Sequence, residues 1–468
     1  MDQAPTPPPD PGPASGPSPG AGTWEQVRHA GVKAWNAGQW QEAERALLDA
    51  LARAQRGEQL PEGRDSSRLL VQSLLDLGCF YADHGSPPVA DRLLVRALKL
   101  VDADPALGRN SPAAAQVCMK LADLRCRPRG LDSAEPLARR SLDIHRRHKQ
   151  YGPDHPHTAR AISTLARVLV KRGRLDDAEA LFLEALGIFQ RHPPAPQHDA
   201  CWVLHNLGDI YLARSDQDKA LETHLAALEA RQAVLPPDHE DVLDSLRRVA
   251  ACYVRLDRCD RALPLYQQVA DARERKSRHD LPYGQALYDL GVACARLDPR
   301  RSAELLEQAL AIQEKHLGPD HPGLAGTLVK LAEVLAALQQ WDRVVRLRKR
   351  IVPLREKELG EGHPQVINAV THVCHACCRA ERWEEAEALD ERALFLCEKH
   401  LGFEHPKVAA VLTHFAEVLR HRGHEARAMR AAERAEQINR KHPGESGTRP
   451  RNDKGERGEG GETADDQP

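Results

Sequence analysis

A six-residue pattern recurs in this chain at a fixed interval, which limits the fold to one supersecondary unit used many times. The copies are Tyr151-Gly-Pro-Asp-His-Pro156, Leu317-Gly-Pro-Asp-His-Pro322, Leu359-Gly-Glu-Gly-His-Pro364 and Leu401-Gly-Phe-Glu-His-Pro406. His321, His363 and His405 stand 42 residues apart. His155, His198 and His239 fall in the same register, and Leu281-Pro282 marks a degenerate copy.

A second pattern lies between these marks. A small residue is followed twelve positions later by another and seven later by a third, as in Gly31/Ala43/Ala50, Gly78/Ala90/Ala97, Ala166/Ala178/Ala185, Gly208/Ala220/Ala227, Cys374/Ala386/Ala393 and Ala416/Ala428/Ala435. Gly291/Ser302/Ala309 is one residue short at the turn, and Ala332/Val344/Ile351 carries branched residues at its last two places. Roughly seven residues bring a helical side chain back to the same face, and small side chains there let two helices approach closely. The twelve-residue step holds a helix reversal, with turn signals at Asn36-Ala-Gly38, Lys171-Arg-Gly173 and His421-Arg-Gly423. Each His-Pro then opens a helix, with proline where its missing N–H costs nothing. Ten helical hairpins are therefore predicted between residues 23 and 442. The branched residues at Val344 and Ile351 suggest a bend or hinge.

Composition supports an all-α fold. Aromatics make up only 4% of the 468 residues, too few for most β-rich folds. The 66 basic and 68 acidic side chains leave a net charge of −2, so nothing pulls the whole chain towards nucleic acid or an anionic membrane. No run approaches the roughly 20 apolar residues of a membrane helix. Residues 1–22 contain eight prolines and read as a disordered leader with polyproline II character, suited to an SH3 or WW domain. Residues 443–468 read as a solvated polar tail. With no secretory signal, the 11 cysteines are expected as buried free thiols of a cytoplasmic protein.

These residues resemble the tetratricopeptide repeat in its long 42-residue form, found in kinesin light chains and the C-terminal part of nephrocystin-3. The resemblance spans residues 23–442. It implies a right-handed superhelical solenoid that binds other proteins, with no catalysis and no cofactor, and a cytoplasmic place that includes the cytoskeleton or cilium. Two departures argue against a kinesin subunit. The proline-rich leader cannot form a heptad coiled coil, and of the paired asparagines common in those repeats only Asn206 remains. A scaffold or adaptor is the expectation. The alternative is a regulatory or chaperone-like subunit of an enzyme complex, binding through its outer face or ends.

By the same resemblance, the first helix of each hairpin lines a concave groove, and the residue five places after the first small position faces it. That row reads Asn36, Asp83, Arg127, Lys171, Ala213, Arg255, Arg296, Ala337, Arg379 and His421. One turn earlier it contains Arg167, and two turns earlier His205, Arg247 and Tyr288; Trp202 and Asn206 lie on the same helix as His205. A groove rich in arginine suits peptide segments with acidic residues, because the guanidinium fork pairs with carboxylates. The same cations would also be favoured at first-helix C-termini by the helix dipole alone.

Other candidates are absorbed by the repeat. Cys374-His-Ala-Cys-Cys378 invites a metal reading, but Cys374 holds a packing position and nothing near in sequence completes a four-ligand set. Trp40, Trp341 and Trp383 occupy equivalent turn positions and are expected to pack their own hairpins, and Trp24 to cover the edge of the first. No P-loop, nucleophile elbow, zincin or dinucleotide motif occurs.

Overall fold

The computed structural model describes residues 23–442, apart from 58–65, 85, 106, 128–129 and 193–196. The proline-rich leader, the polar tail and the side chain of His198 lie outside the described residues. Among the described residues there are twenty α-helices and no strand. The described residues divide into two compact units, with the division between Leu256 and Asp257. The boundary falls inside the sixth predicted hairpin.

The first unit holds α1 (Trp24–Asn36), α2 (Trp40–Arg56), α3 (Ser66–Asp83), α4 (Pro87–Ala103), α5 (Pro112–Arg125), α6 (Leu131–Arg147), α7 (Pro156–Lys171), α8 (Leu175–Arg191), α9 (Gln197–Ala213), α10 (Gln217–Gln232) and α11 (Glu240–Arg255). The second holds α12 (Cys259–Lys276), α13 (Leu281–Cys294), α14 (Pro299–Leu317), α15 (Ala325–Ala337), α16 (Trp341–Leu359), α17 (Pro364–Arg379), α18 (Trp383–Leu401), α19 (Pro406–His421) and α20 (Glu425–Lys441). Within each unit every helix packs on the next in sequence. In the first unit the first helices also touch one another directly, α1 to α3, α3 to α5, α5 to α7 and α7 to α9. They therefore form a continuous wall.

The small-residue rule has a direct steric basis. A Cβ added at Gly78 would meet Leu94 Cγ at 2.8 Å, and one at Gly291 would meet Leu306 Cγ at 2.9 Å. The shortened repeat closes with a hydrogen bond, Ser302 Oγ donating to the Gly291 carbonyl at 2.7 Å. Val344 and Ile351 are buried like their smaller counterparts, so the branched residues fill the core of that hairpin.

Most of the described hairpin turns share one backbone conformation, the shortened repeat with Asp298 at φ −141° being the exception. The residue seven places after the first small position is left-handed in Gly38, Gly173 and Gly423, and also in Ser215, Gln339 and Glu381. Helix entry is shared too. His155, His239, His321, His363 and His405 are N-caps whose Nδ1 accepts from the backbone N–H two residues on, at 3.1–3.2 Å. The repeated histidine is thus a capping acceptor that satisfies an orphan helix donor. Trp24 is buried against α3, its indole N–H donating to Ser73 Oγ at 2.9 Å.

Candidate interaction surface

The wall of first helices in the first unit carries a recess of about 260 Å³. Its lining comes from α5 (Met119, Lys120, Asp123), α7 (Arg160, Ser163, Thr164, Arg167), the end of α8 (Phe189) and α9 (Asp199, Trp202). The 42-residue period brings these side chains together, since residues one repeat apart become lateral neighbours. Arg160 pairs with Asp199 at 2.5 Å, and Arg167 pairs with Asp123. The Arg167 guanidinium also sits 5.6 Å from the Trp202 ring centroid, within cation–π range. Its buried Nε has no hydrogen-bond partner among the described residues. The half-buried Trp202 meets Phe182 edge-on at 6.1 Å, so it is both a core contact and part of the recess wall.

Of the expected basic row, Arg296 pairs with Asp257, and Arg127, Lys171, Arg255 and Arg379 are exposed with no carboxylate partner among the described residues. The inner arginines are largely paired across repeats. Besides the two pairs in the recess, Arg28 bonds Asp76 at 2.5 Å, and Arg248 bonds Asp209 at 2.7 Å and Asp244 at 3.1 Å. The surface is therefore a ladder of alternating charge with a small cationic excess. That excess lies at Lys120, Arg127, Lys171 and Arg255, all exposed and without a carboxylate partner among the described residues.

The remaining row residues spread out. Lys171, Arg255 and Arg379 end α7, α11 and α17, and all three are exposed. Arg127 lies in the bend after α5, and Arg296 lies in the turn after α13, where it pairs with Asp257. Arg379 sits 5.0 Å from the Trp341 ring centroid. Arg247 bonds Asp244 at 3.3 Å. Asn206 donates Nδ2–H to the Trp202 carbonyl at 2.7 Å, an intrahelical bond. Tyr288 is half-buried against the core of the second unit. The turn tryptophans touch their own turns, as where Trp341 donates Nε1–H to Gln339 Oε1 at 2.9 Å, and also reach the next repeat. Trp40 lies 4.1 Å from the His84 ring, and Trp383 stacks on His421 at 4.1 Å.

Beside the recess lies a polar nest that periodicity did not reveal. His224 of α10 is buried and packs into the space left by Gly208, where an added Cβ would meet its ring at 2.5 Å. His205 of α9 lies 3.7 Å from carboxylate oxygens of both Asp209 and Asp244. Burial first, and then the nearby Arg248 charge, hold both imidazoles down to about 4. They are neutral at physiological pH.

A sequence profile for the tetratricopeptide repeat matches residues 111–191, 199–275 and 365–441, just over half of the chain, and a second profile of the same description matches 295–323. The chain belongs to the tetratricopeptide repeat family. Solved tetratricopeptide-like structures agree in fold. The apo form of RapI superposes with a TM-score of 0.56 at 13% identity, covering 81% of this chain and 99% of its own. A signal transduction ATPase with numerous domains, carrying a tetratricopeptide repeat sensor, from Pyrococcus horikoshii gives 0.56 at 15% identity, covering 82% of this chain and 54% of its own. BtubC (BKLC) from P. vanneervenii gives 0.43 at 23% identity over 49% of this chain and 92% of its own. No curated protein sequence matches. No helix among the described residues of this tetratricopeptide protein is long and apolar enough to cross a membrane.

Proposed function

We propose that this tetratricopeptide protein is a scaffold or adaptor that holds a peptide segment of a partner protein on the first-helix face of its first unit. The observation that carries this is the recess between α5, α7 and α9, where an aromatic platform lies among positioned charges. The half-buried Trp202 supplies apolar contact area, backed by the buried Phe189. Lys120 and Lys171 supply unpaired positive charge, so an acidic residue flanked by an apolar one is the matching ligand. The Arg160–Asp199 and Arg167–Asp123 pairs fix the walls and disfavour a segment of uniform charge, which would leave one partner of each pair unmatched. A cytoplasmic place, near the cytoskeleton or a cilium, follows from the resemblance to kinesin light chain and nephrocystin repeats.

A selection of random peptides against the full chain tests this reading. The expected outcome is enrichment of acidic residues next to apolar ones, with affinity that falls as salt rises and is lost in a Lys120→Glu, Lys171→Glu double variant of unchanged helicity. Peptides that lack acidic residues, or that bind the variant equally well, would contradict it.

A second reading has an observation of its own. A larger recess of about 730 Å³ lies along the second helix α6 and the residues beyond it, lined by Arg139, Arg140, Arg147 and Lys149 among others. It suits a regulatory or chaperone-like subunit that binds through its outer face. We favour the first-helix recess because four helices and Trp202 line it, whereas the outer one rests mainly on one helix. An Arg147→Glu, Lys149→Glu variant separates the two.

A further inference from the structure

The thiols of Cys374 and Cys378, four residues apart, share one face of α17. Sequence offers no further ligand nearby, but the fold does. His414, forty residues on in α19, places Nε2 3.8 Å from Cys378 Sγ and Nδ1 3.7 Å from Cys374 Sγ. One ligand atom from each of the three residues lies within 4.8 Å of the other two. From the third side, α18 contributes Asp390, only 1% exposed, whose carboxylate accepts from His414 Nδ1 at 2.9 Å.

We propose that Cys374, Cys378 and His414 bind one zinc ion, with Asp390 holding the histidine ring from behind. In a tetrahedral zinc site, sulfur lies at about 2.3 Å and nitrogen at about 2.0–2.1 Å from the metal, which sets neighbouring ligand atoms roughly 3.5–3.8 Å apart. The observed Cys378 Sγ···Nε2 separation of 3.8 Å is already at that spacing, while the 3.7 Å contact of Cys374 is with Nδ1, the nitrogen that Asp390 holds. Two thiolates and an imidazole form a soft donor set, which selects zinc over magnesium or calcium. Asp390 accepts the Nδ1 proton and leaves the Nε2 lone pair facing Cys378, the carboxylate–histidine–metal relay that fixes tautomer and ring orientation. Cys378 and His414 are partly exposed, which gives the ion an entry path and leaves the fourth position to water. Zinc here ties α17 to α19 and so clamps the last two hairpins.

The test uses the full chain purified without chelators, with metal content measured by mass spectrometry and cobalt(II) titrated as a spectroscopic probe. One equivalent of zinc is expected, with a thiolate-to-cobalt charge-transfer band. Cys378→Ser and His414→Asn should abolish both while circular dichroism in chelator matches wild type. Asp390→Asn should weaken metal affinity roughly 10–100-fold. Zinc should slow alkylation of Cys378 and raise the melting temperature of wild type only. Substoichiometric zinc after equilibration, an unchanged metal content in Cys378→Ser, or alkylation indifferent to zinc would each overturn the proposal.

Discussion

The two units follow one backbone plan and differ in how they end and join their repeats. In the second unit, α14, α16 and α18 each run 19 residues and stop at glycines with φ of 86–95° and ψ near 155°. That conformation is essentially reserved for glycine. In the first unit, α2, α4, α6 and α8 run 17 residues and end in varied ways, at Gly57, Asp104, His148 and His192. The irregular unit holds the charged recess, and the regular one holds the thiol cluster. A repeat can thus keep one hairpin geometry while function is written at the seams between hairpins, where side chains one period apart meet.

The largest separation of the units should come from the core. Phe182 is fully buried in the first unit, so Phe182→Ala should cost about 3–5 kcal/mol. Hydrogen exchange should show the loss across α7–α10 and leave α13–α20 protected. Next are two glycines that serve for different reasons. Gly208→Ala drives a methyl into the His224 ring and should cost about 1–3 kcal/mol by overpacking. At Gly360 there is open space but a φ of +86°, so Gly360→Ala should cost a similar amount, about 1–3 kcal/mol, through backbone strain alone. A His224→Gln change should relieve the first defect and leave the second untouched.

Acid should weaken the first unit through its histidine nest. The pKa values of His205 and His224 are depressed to about 4 in the folded chain, while an unfolded imidazole takes its proton near 6.5. The unfolded state therefore binds more protons as pH drops. The stabilisation is complete above about 6.5 and is lost as pH falls towards 4. Arg248, Arg231, Asp209 and Asp244 face the nest. The Asp209 carboxyl is raised, chiefly by burial, and opposes this loss only as pH nears the carboxylate range. Denaturant unfolding at pH 7.5 and pH 5 should show the loss, and His224→Leu should reduce it. The smallest effect should be a gain. Ser215 and Gln339 hold left-handed turns that Gly38 and Gly173 hold without strain, so Ser215→Gly and Gln339→Gly should each stabilise by about 0.5–1 kcal/mol. Equal melting shifts in the two variants would show that the turn is common to both units.

The hairpins were legible in the sequence because their signals are local. Small residues, turn glycines and His-Pro entries each act within one helix or one turn. The ion pairs and the thiol cluster were not, because their members come from different hairpins. Asp123 and Arg167, Arg160 and Asp199, and Cys374 and His414 each stand about one repeat apart. A search for complementary side chains at that spacing would have found all three. Reading Arg167 by its row alone predicted an available cation, and only the neighbouring helix shows Asp123 beside it. The onward reach of the turn tryptophans was missed for the same reason, since Trp383 meets His421 of the following repeat.

Hydrogen exchange of the full chain, with and without a peptide selected from the random library, tests the central claim most directly. The account predicts new protection concentrated on α5, α7, α9 and the end of α8, with α6 and the second unit unchanged. Protection confined to α6 and the residues after it, with the first-helix wall unaltered, would contradict it.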